Sequence, residues 1–351
     1  MFYAIIPDMK EVKKRILWVD IAKAIAILSV IISHTIELDS TLRVMIFSFH
    51  MPLFFILSGF TTHLAEDKKT LVKRLKKNIK YLLIPTFLIL FIFALTEAFK
   101  FGGIQLWPEK TVWTFREFFL MKYPDGLYNA SAVWFLVAMF WAKLIMDFVN
   151  IKFKTEKNGI IFLFLGMLGI WMGVTGSRLP FFVDLGFVAT MFMEIGLLWR
   201  KYEAVVKKYT PILLAIAGLY WYSHTMRGDY LELWTRFYAG YEVSILTSIA
   251  GAFLVSNFAM MLEEALKKAD IILKKSLDFF VLIGQNTLLL YLIHCLDTAL
   301  LTNLWDVREG DDKGRIIISV ILRVALNVAI FIFIKGSVSI IKNCSKRKRL
   351  L

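Results

Sequence analysis

The chain of 351 residues is 58% hydrophobic, carries 31 phenylalanines and has a mean hydropathy of +0.64. Soluble domains run near ~45–50% apolar, so this composition excludes an ordinary water-soluble domain and points to a polytopic membrane protein. The formal net charge of +14 raises a nucleic-acid reading, which the placement of the charges removes.

Residues 1–15 form a short N-terminal segment that ends in Lys13-Lys14-Arg15. The apolar run after it is too long for a cleavable signal peptide and lacks a small-residue cleavage site, so it is expected to stay as a helix. About ten apolar segments can be marked, each near the twenty residues that cross about 30 Å of hydrocarbon. They lie near 16–36, 43–63, 79–99, 131–150, 158–176, 180–200, 210–226, 238–260, 278–300 and 316–341, and a basic tail follows over 342–351. The expected fold is therefore all-α: one transmembrane bundle over 16–341. Cys295 sits in an apolar segment and Cys344 in the tail, which gives neither a disulfide framework nor a metal motif.

Basic clusters precede the first segment and follow every even-numbered one. By count, about 27 of the 42 Lys and Arg fall on that side and about 11 on the other. Both termini are thus expected to be cytoplasmic, and the charge is explained by topology rather than by nucleic acid.

The first segment, DIAKAIAILSVIISH, holds Asp20, Lys23 and His34. Eleven helical steps separate Lys23 from His34, a rise of roughly 16 Å. They also turn the helix only about 20° past three full turns, so both side chains lie on one stripe at different depths. With the orientation above, His34, His50 and His294 fall at similar depth toward the outer side, on three different helices. His63 and His224 do not join them. Glu37 lies one turn beyond His34, and Asp297 one turn beyond His294. Ionisable residues inside spans are costly and face a cavity or a partner. Spacing alone leaves a catalytic cluster and a set of satisfied core histidines equally open, and nothing in it demands a metal.

Intramembrane Lys143, Glu194 and Arg323 are expected to pair with one another, the alternative being to line a ligand path. Met51-Pro52 and Ser58-Gly59 could break the second helix and line a cavity, the alternative being an ordinary proline kink. WPEKTVWTFREFFLM, within the long connection from Lys100 to Ala130, suits a short helix lying in the outer interface. Asn129-Ala130-Ser131 matches a glycosylation triplet by chance, being too close to the fourth segment.

WVDIAKAIAILSVIISH resembles the first helix of the acyltransferase 3 family, which opens with an Asp, then a basic residue, ten residues and a histidine. FSFHMPLFFILSGF resembles that family's second helix. YLLIPTF, WFLVAMF, LPFFVDLGFVATMFMEIGLLWRKY and GQNTLLLYLIH resemble later landmarks. Lys23, where many members carry Arg, and the LPFFVD stretch are most similar to the fucose 4-O-acetylase-like branch. The resemblance implies a membrane enzyme that takes an acyl group, usually acetyl, from cytoplasmic acyl-CoA. It passes the group to a hydroxyl, commonly of a sugar, on the far side. It also implies that His34 is catalytic with Lys23 as its basic partner, and that this is a stand-alone membrane module without a soluble SGNH-type domain.

On that reading His34, His50 and His294 are the candidate catalytic residues. His34 acts as general base, with an acyl-histidine relay as the rival mechanism. Candidate oxyanion donors are His50, Ser58, Trp134 and Asn286. Acetyl-CoA is the expected donor, and no metal is expected. Lys23 with Lys73, Arg74, Lys76 and Lys77 is the candidate mouth for its phosphates, although the positive-inside rule alone explains most of the loop lysines. Expected partners are the lipid bilayer, acyl-CoA and a glycan or polysaccharide acceptor, with a homo-oligomer left open and a bacterial cytoplasmic membrane as the location. Two other classes stay open: a transporter or flippase of a lipid-linked glycan, and an inactive assembly partner in a surface-polysaccharide complex.

Overall fold

A computed structural model describes residues 15–36, 40–120, 132–153, 157–267, 270–301, 304–305 and 312–347. Glu37, the Asn129-Ala130-Ser131 triplet, nearly all of the N-terminal segment and the side chains of the basic tail lie outside the described residues.

The first two helices are α1 (Leu17–Ser33) and α2 (Thr41–Thr61), the latter started by Ser40, whose hydroxyl accepts from the Arg43 N–H. The helix α2 passes through Pro52 without a break, so the interruption considered at Met51-Pro52 is not present. The basic helix α3 (Lys68–Asn78) is capped by Asp67 and continues through a π turn at Ile79–Leu83 into α4 (Ile84–Phe101). Pro85 sits in the first turn of α4 and has no N–H to return to the preceding turn, which is where the ladder widens. The helix expected at WPEKTVWTFREFFLM forms as α5 (Trp107–Leu120).

Next come α6 (Trp134–Phe153), α7 (Asn158–Val174), α8 (Val183–Lys201) and α9 (Glu203–Thr225). A two-stranded antiparallel hairpin follows, β1 (Leu231–Glu232) with β2 (Phe237–Tyr238), in the register Leu231↔Tyr238. The chain then runs through α10 (Glu242–Lys267), α11 (Ile271–Gln285), α12 (Thr287–Leu301) and α13 (Lys313–Arg347).

Among the described residues six helices are long and apolar enough to cross a membrane, or seven if Leu277–Gln285 and Thr287–Leu301, bent by 77° at their junction, make one span. The ten marked segments are all helical, but the broken ninth is two helices. The helices α1 and α7 have 17 residues each, short of the ~20 that cross the hydrocarbon, and α9 opens with Glu203, Lys207 and Lys208.

Contacts between helices define two ends of the bundle. At the basic end the start of α1 meets the ends of α2 and α8: the Trp18 and Phe60 rings lie 5.0 Å apart, and Phe60 and Trp199 5.8 Å. The Trp18 N–H donates to the Glu263 carboxylate of α10 at 3.0 Å. Glycines let the backbones touch. A Cβ on Gly59 would lie 1.9 Å from the Met193 carbonyl oxygen, and one on Gly196 would lie 2.0 Å from that of Ile56. Small residues at such crossings are how helices pack where lipid is as apolar as the side chains. At the opposite end Arg236 holds the hairpin to the first turn of α8 through Asp184 at 2.9 and 3.2 Å. Both side chains are at most 1% exposed.

Candidate active site

His34 stands where α1 ends, and its position is set through the backbone. Arg323 of α13 donates from Nη1 to the His34 carbonyl at 2.6 Å. The same guanidinium reaches Asp297 Oδ2 from Nε at 2.6 Å and Thr298 Oγ1 from Nη2 at 2.9 Å. Asp297 also accepts from Trp305 Nε1 at 2.6 Å and from Asn327 Nδ2 at 3.2 Å. A buried charge pair is tolerable only when its remaining donors and acceptors are satisfied, and this one ties α1, α12 and α13 together.

His294, one turn before Asp297, is fully buried, with its ring centroid 5.2 Å from that of His34. Its Nδ1 lies 3.6 Å from Asp297 Oδ2, beyond hydrogen-bond reach, and among the described residues neither ring nitrogen has a hydrogen-bond partner. His50 lies across Phe47, whose ring is 4.9 Å from the His50 ring and 6.3 Å from His34. His50 Nδ1 approaches the Ile46 carbonyl at 2.8 Å. A carbonyl only accepts, so Nδ1 carries the hydrogen and a neutral His50 keeps a lone pair on Nε2. In that state it is an acceptor and does not suit the oxyanion-donor role considered from sequence. The three histidines marked from depth alone are thus brought to one place, while His63 is exposed and His224 pairs with Asp229 at 2.8 Å.

His34 and His50 face a cavity of about 40 Å³, which Trp134, Tyr291, Glu232 and Trp234 also line. That is room for about three waters, or for a small group such as an acetyl, and the site is partly roofed by the hairpin. Burial pushes the Glu232 carboxyl up from its ordinary range, with Arg43 and the Thr235 hydroxyl opposing. Arg43, 6% exposed, lies over Phe47 at 4.4 Å and donates from Nη1 to the Ser33 carbonyl at 2.9 Å. Its Nη2 has no hydrogen-bond partner.

Of the four oxyanion candidates only His50 and Trp134 line the cavity, and Trp134 is a donor by its chemistry. Ser58 instead accepts from Lys143, and Asn286 is held between the Leu282 carbonyl and Lys335. Lys143, Glu194 and Arg323 do not pair with one another: Arg323 takes Asp297, Lys143 takes Ser58, and Glu194 lies against Gly159.

The basic set divides in the same way. Arg74 is spoken for by Asp147 at 2.6 Å and by the His63 carbonyl. Lys73, Lys76 and Lys77 are exposed on α3. Lys23 is half-buried on α1, facing the same interior as Lys143. Along the stripe from Lys23 to His34, Val30 borders the cavity and Ile27, fully buried, stands between cavity and lysine.

The hairpin was not foreseen from sequence, yet Leu231, Glu232, Leu233 and Trp234 form one wall of the cavity. Its signal was the run LELWTRFY between two helices, where bulky aliphatic and aromatic residues flank the polar pair Thr235-Arg236. Arg43 was likewise read only as a helix boundary, although an arginine opening an apolar segment already asks for a partner.

No curated protein and no solved structure matches the chain. A family model described as an acyltransferase domain matches residues 16–338, most of the chain, and with its apolar spans this chain belongs to the acyltransferase 3 family of membrane acyltransferases.

Proposed function

We propose that the chain moves an acetyl or other short acyl group from acyl-CoA, at the basic end of the bundle, to a hydroxyl at the hairpin end. The acceptor class is a sugar or cell-surface glycan, in line with the likeness to the fucose 4-O-acetylase-like branch. Both termini would then be cytoplasmic, and the hairpin would face outward from a bacterial cytoplasmic membrane.

The observation that carries this reading is the His34 ring. It borders a cavity while its backbone is locked to a buried Arg323–Asp297 pair. A neutral imidazole there removes the proton from the acceptor hydroxyl as its oxygen attacks the thioester carbonyl; the carbon–sulfur bond then breaks and CoA leaves as the thiol. The imidazolium formed returns that proton to the departing sulfur. The indole N–H of Trp134, a residue of the cavity wall, is the donor assigned here to the developing oxyanion. His50 borders the pocket, His294 packs against His34 with ring centroids 5.2 Å apart, and Trp234 and Tyr291 offer the flat apolar faces on which sugar rings stack. Ile27 closes the stripe below the cavity, so the donor's arm reaches His34 only when the bundle opens there.

The test is direct. Membranes holding the protein are given labelled acetyl-CoA and candidate glycans, and surface glycans from cells with and without the chain are compared by mass spectrometry for one acetyl group. Labelled glycan from wild type and none from His34→Ala at equal expression supports the reading. Glycan movement without consumption of CoA would replace it with transport. Burst release of CoA without acceptor would favour the acyl-histidine relay over general-base attack.

A further inference from the structure

We infer that Lys143, left above between pairing and lining a ligand path, joins Lys23 and Ser58 to form the seat of the donor's diphosphate, deep inside the basic half of the bundle. The inference rests on acyl-CoA being the donor.

Lys143 lies mid-way along α6, one turn deeper than Asp147, a step of about 6 Å. Its ammonium donates to Ser58 Oγ at 2.7 Å, and among the described residues no carboxylate lies within ion-pair distance of it. The nearest acid, Asp147, is committed to Arg74 at 2.6 Å and to the Ala65 N–H at 2.9 Å. Lys23, on α1, is also without an ion-pair partner among the described residues, and its neighbour Asp20 leans toward Arg15 at 3.9 Å. Lys143 lies within electrostatic reach of Lys23, Arg74 and Lys77, and Lys23 within reach of Asp20 and Arg15. The basic half therefore gathers five cations around two carboxylates, one of which, Asp147, is already spent on Arg74.

Cations gathered in a low-dielectric interior repel, and a span carries such a set only if an anion, or loss of a proton, compensates. Lys23, Ser58 and Lys143 are all half-buried rather than sealed, so an anion can reach them. The depth fits one part of the donor. Lys23 is roughly 16 Å from His34 along α1, and Ser58 is about 12 Å from His50 along α2. In an acyl-CoA the anion nearest the thioester is the diphosphate, joined to it by the extended pantetheine arm; the ribose phosphate lies further out, where exposed Lys73, Lys76 and Lys77 are. Lysine, a compact point charge, suits a phosphate whose angle of approach is not fixed.

The test compares three donors on the purified full-length protein: acetyl-CoA, acetyl-4′-phosphopantetheine and acetyl-pantetheine. Losing one charged contact to phosphate weakens binding by about 10- to 100-fold. Lys143→Met is therefore expected to raise KM for the first two donors by that factor, to leave acetyl-pantetheine within twofold, and to weaken binding of free CoA in step. Lys143→Arg, which keeps the charge, stays near wild type. If Lys143→Met does not fold, Lys143→Gln carries the same comparison. Equal CoA affinity in wild type and Lys143→Met overturns the inference while the donor reading stands. So does an equal loss with acetyl-pantetheine, or a loss in Lys143→Arg as large as in Lys143→Met. A wild-type protein that binds no CoA and transfers no acetyl overturns the donor reading itself, and the inference with it.

Discussion

Replacing Arg323 with methionine tests the anchor behind His34. The change keeps the apolar stem and removes hydrogen bonds to Asp297 at 2.6 Å, the His34 carbonyl at 2.6 Å, Thr298 at 2.9 Å and Thr35 at 3.4 Å. Asp297 then keeps only the neutral donors Trp305 and Asn327, at a site where both partners' side chains are 2% exposed. Removing one partner of a buried pair costs about 3–5 kcal/mol, mostly for the charge left behind. The double variant Arg323→Met/Asp297→Asn removes that stranded charge. It should therefore cost clearly less than the two single variants added together, with a coupling of about 1–3 kcal/mol. Unfolding by SDS in mixed micelles reads all three stabilities. A loss below about 1 kcal/mol in Arg323→Met, or additive single and double variants, would refute the reasoning that this pair is a buried, mutually dependent unit.

Three further outcomes follow from particular contacts. Gly59→Ala must push a methyl to within 1.9 Å of the Met193 backbone and should cost about 1–3 kcal/mol or more. Gly218→Ala in α9, with nothing within 4 Å of the new Cβ, should be neutral or stabilising by up to ~1 kcal/mol; equal effects in thermal melts would contradict the packing described. Glu232 has its carboxyl pushed up by burial, so the folded state holds that proton more tightly than the unfolded chain. Charging it therefore costs stability as pH rises from the ordinary carboxylate value through the raised one. Glu232→Gln should melt higher than wild type at neutral pH and equally at about pH 4 and below, and the reverse order would show that Arg43 outweighs burial. Arg43→Met should leave KM for acetyl-CoA unchanged while raising KM for the acceptor, because its Nη2, without a hydrogen-bond partner among the described residues, sits with Glu232 and Phe47 at the hairpin side. Unchanged acceptor KM would remove it from that role.

How much of this was legible follows from the range of each signal. Apolar run length is local, and it located most of the apolar helices to within a few residues, while the basic helix α3 was read as a loop and α5 came from its aromatic motif rather than from an apolar run. It could not by itself count clean spans, since α1, α7 and α9 are short or polar at one end. It also missed the break between Gln285 and Thr287, where Asn286 folds its side chain back on the Leu282 carbonyl. Charge asymmetry and helical rise placed His34, His50 and His294 at one depth, and the fold brings their rings together. Depth could not say which neighbour each side chain would take. That Arg323 meets Asp297 rather than Glu194, and that Arg74 is consumed by Asp147, depends on how helices rotate about their axes. The hairpin was missed for a different reason: its strands are two residues each, too short for a period, and it is held by Arg236 reaching Asp184, 52 positions away in sequence.

The most direct measurement is single-turnover transfer of labelled acetyl from acetyl-CoA to a glycan acceptor by purified wild-type, His34→Ala and His34→Gln proteins. Each variant should first be shown to fold and to bind CoA like the parent. If His34 is the base, both variants keep CoA affinity and lose transfer by at least about a hundredfold. Transfer at near wild-type rate in either variant would mean that the proton leaves through another group, and the role given to the ring bordering the cavity would have to be abandoned.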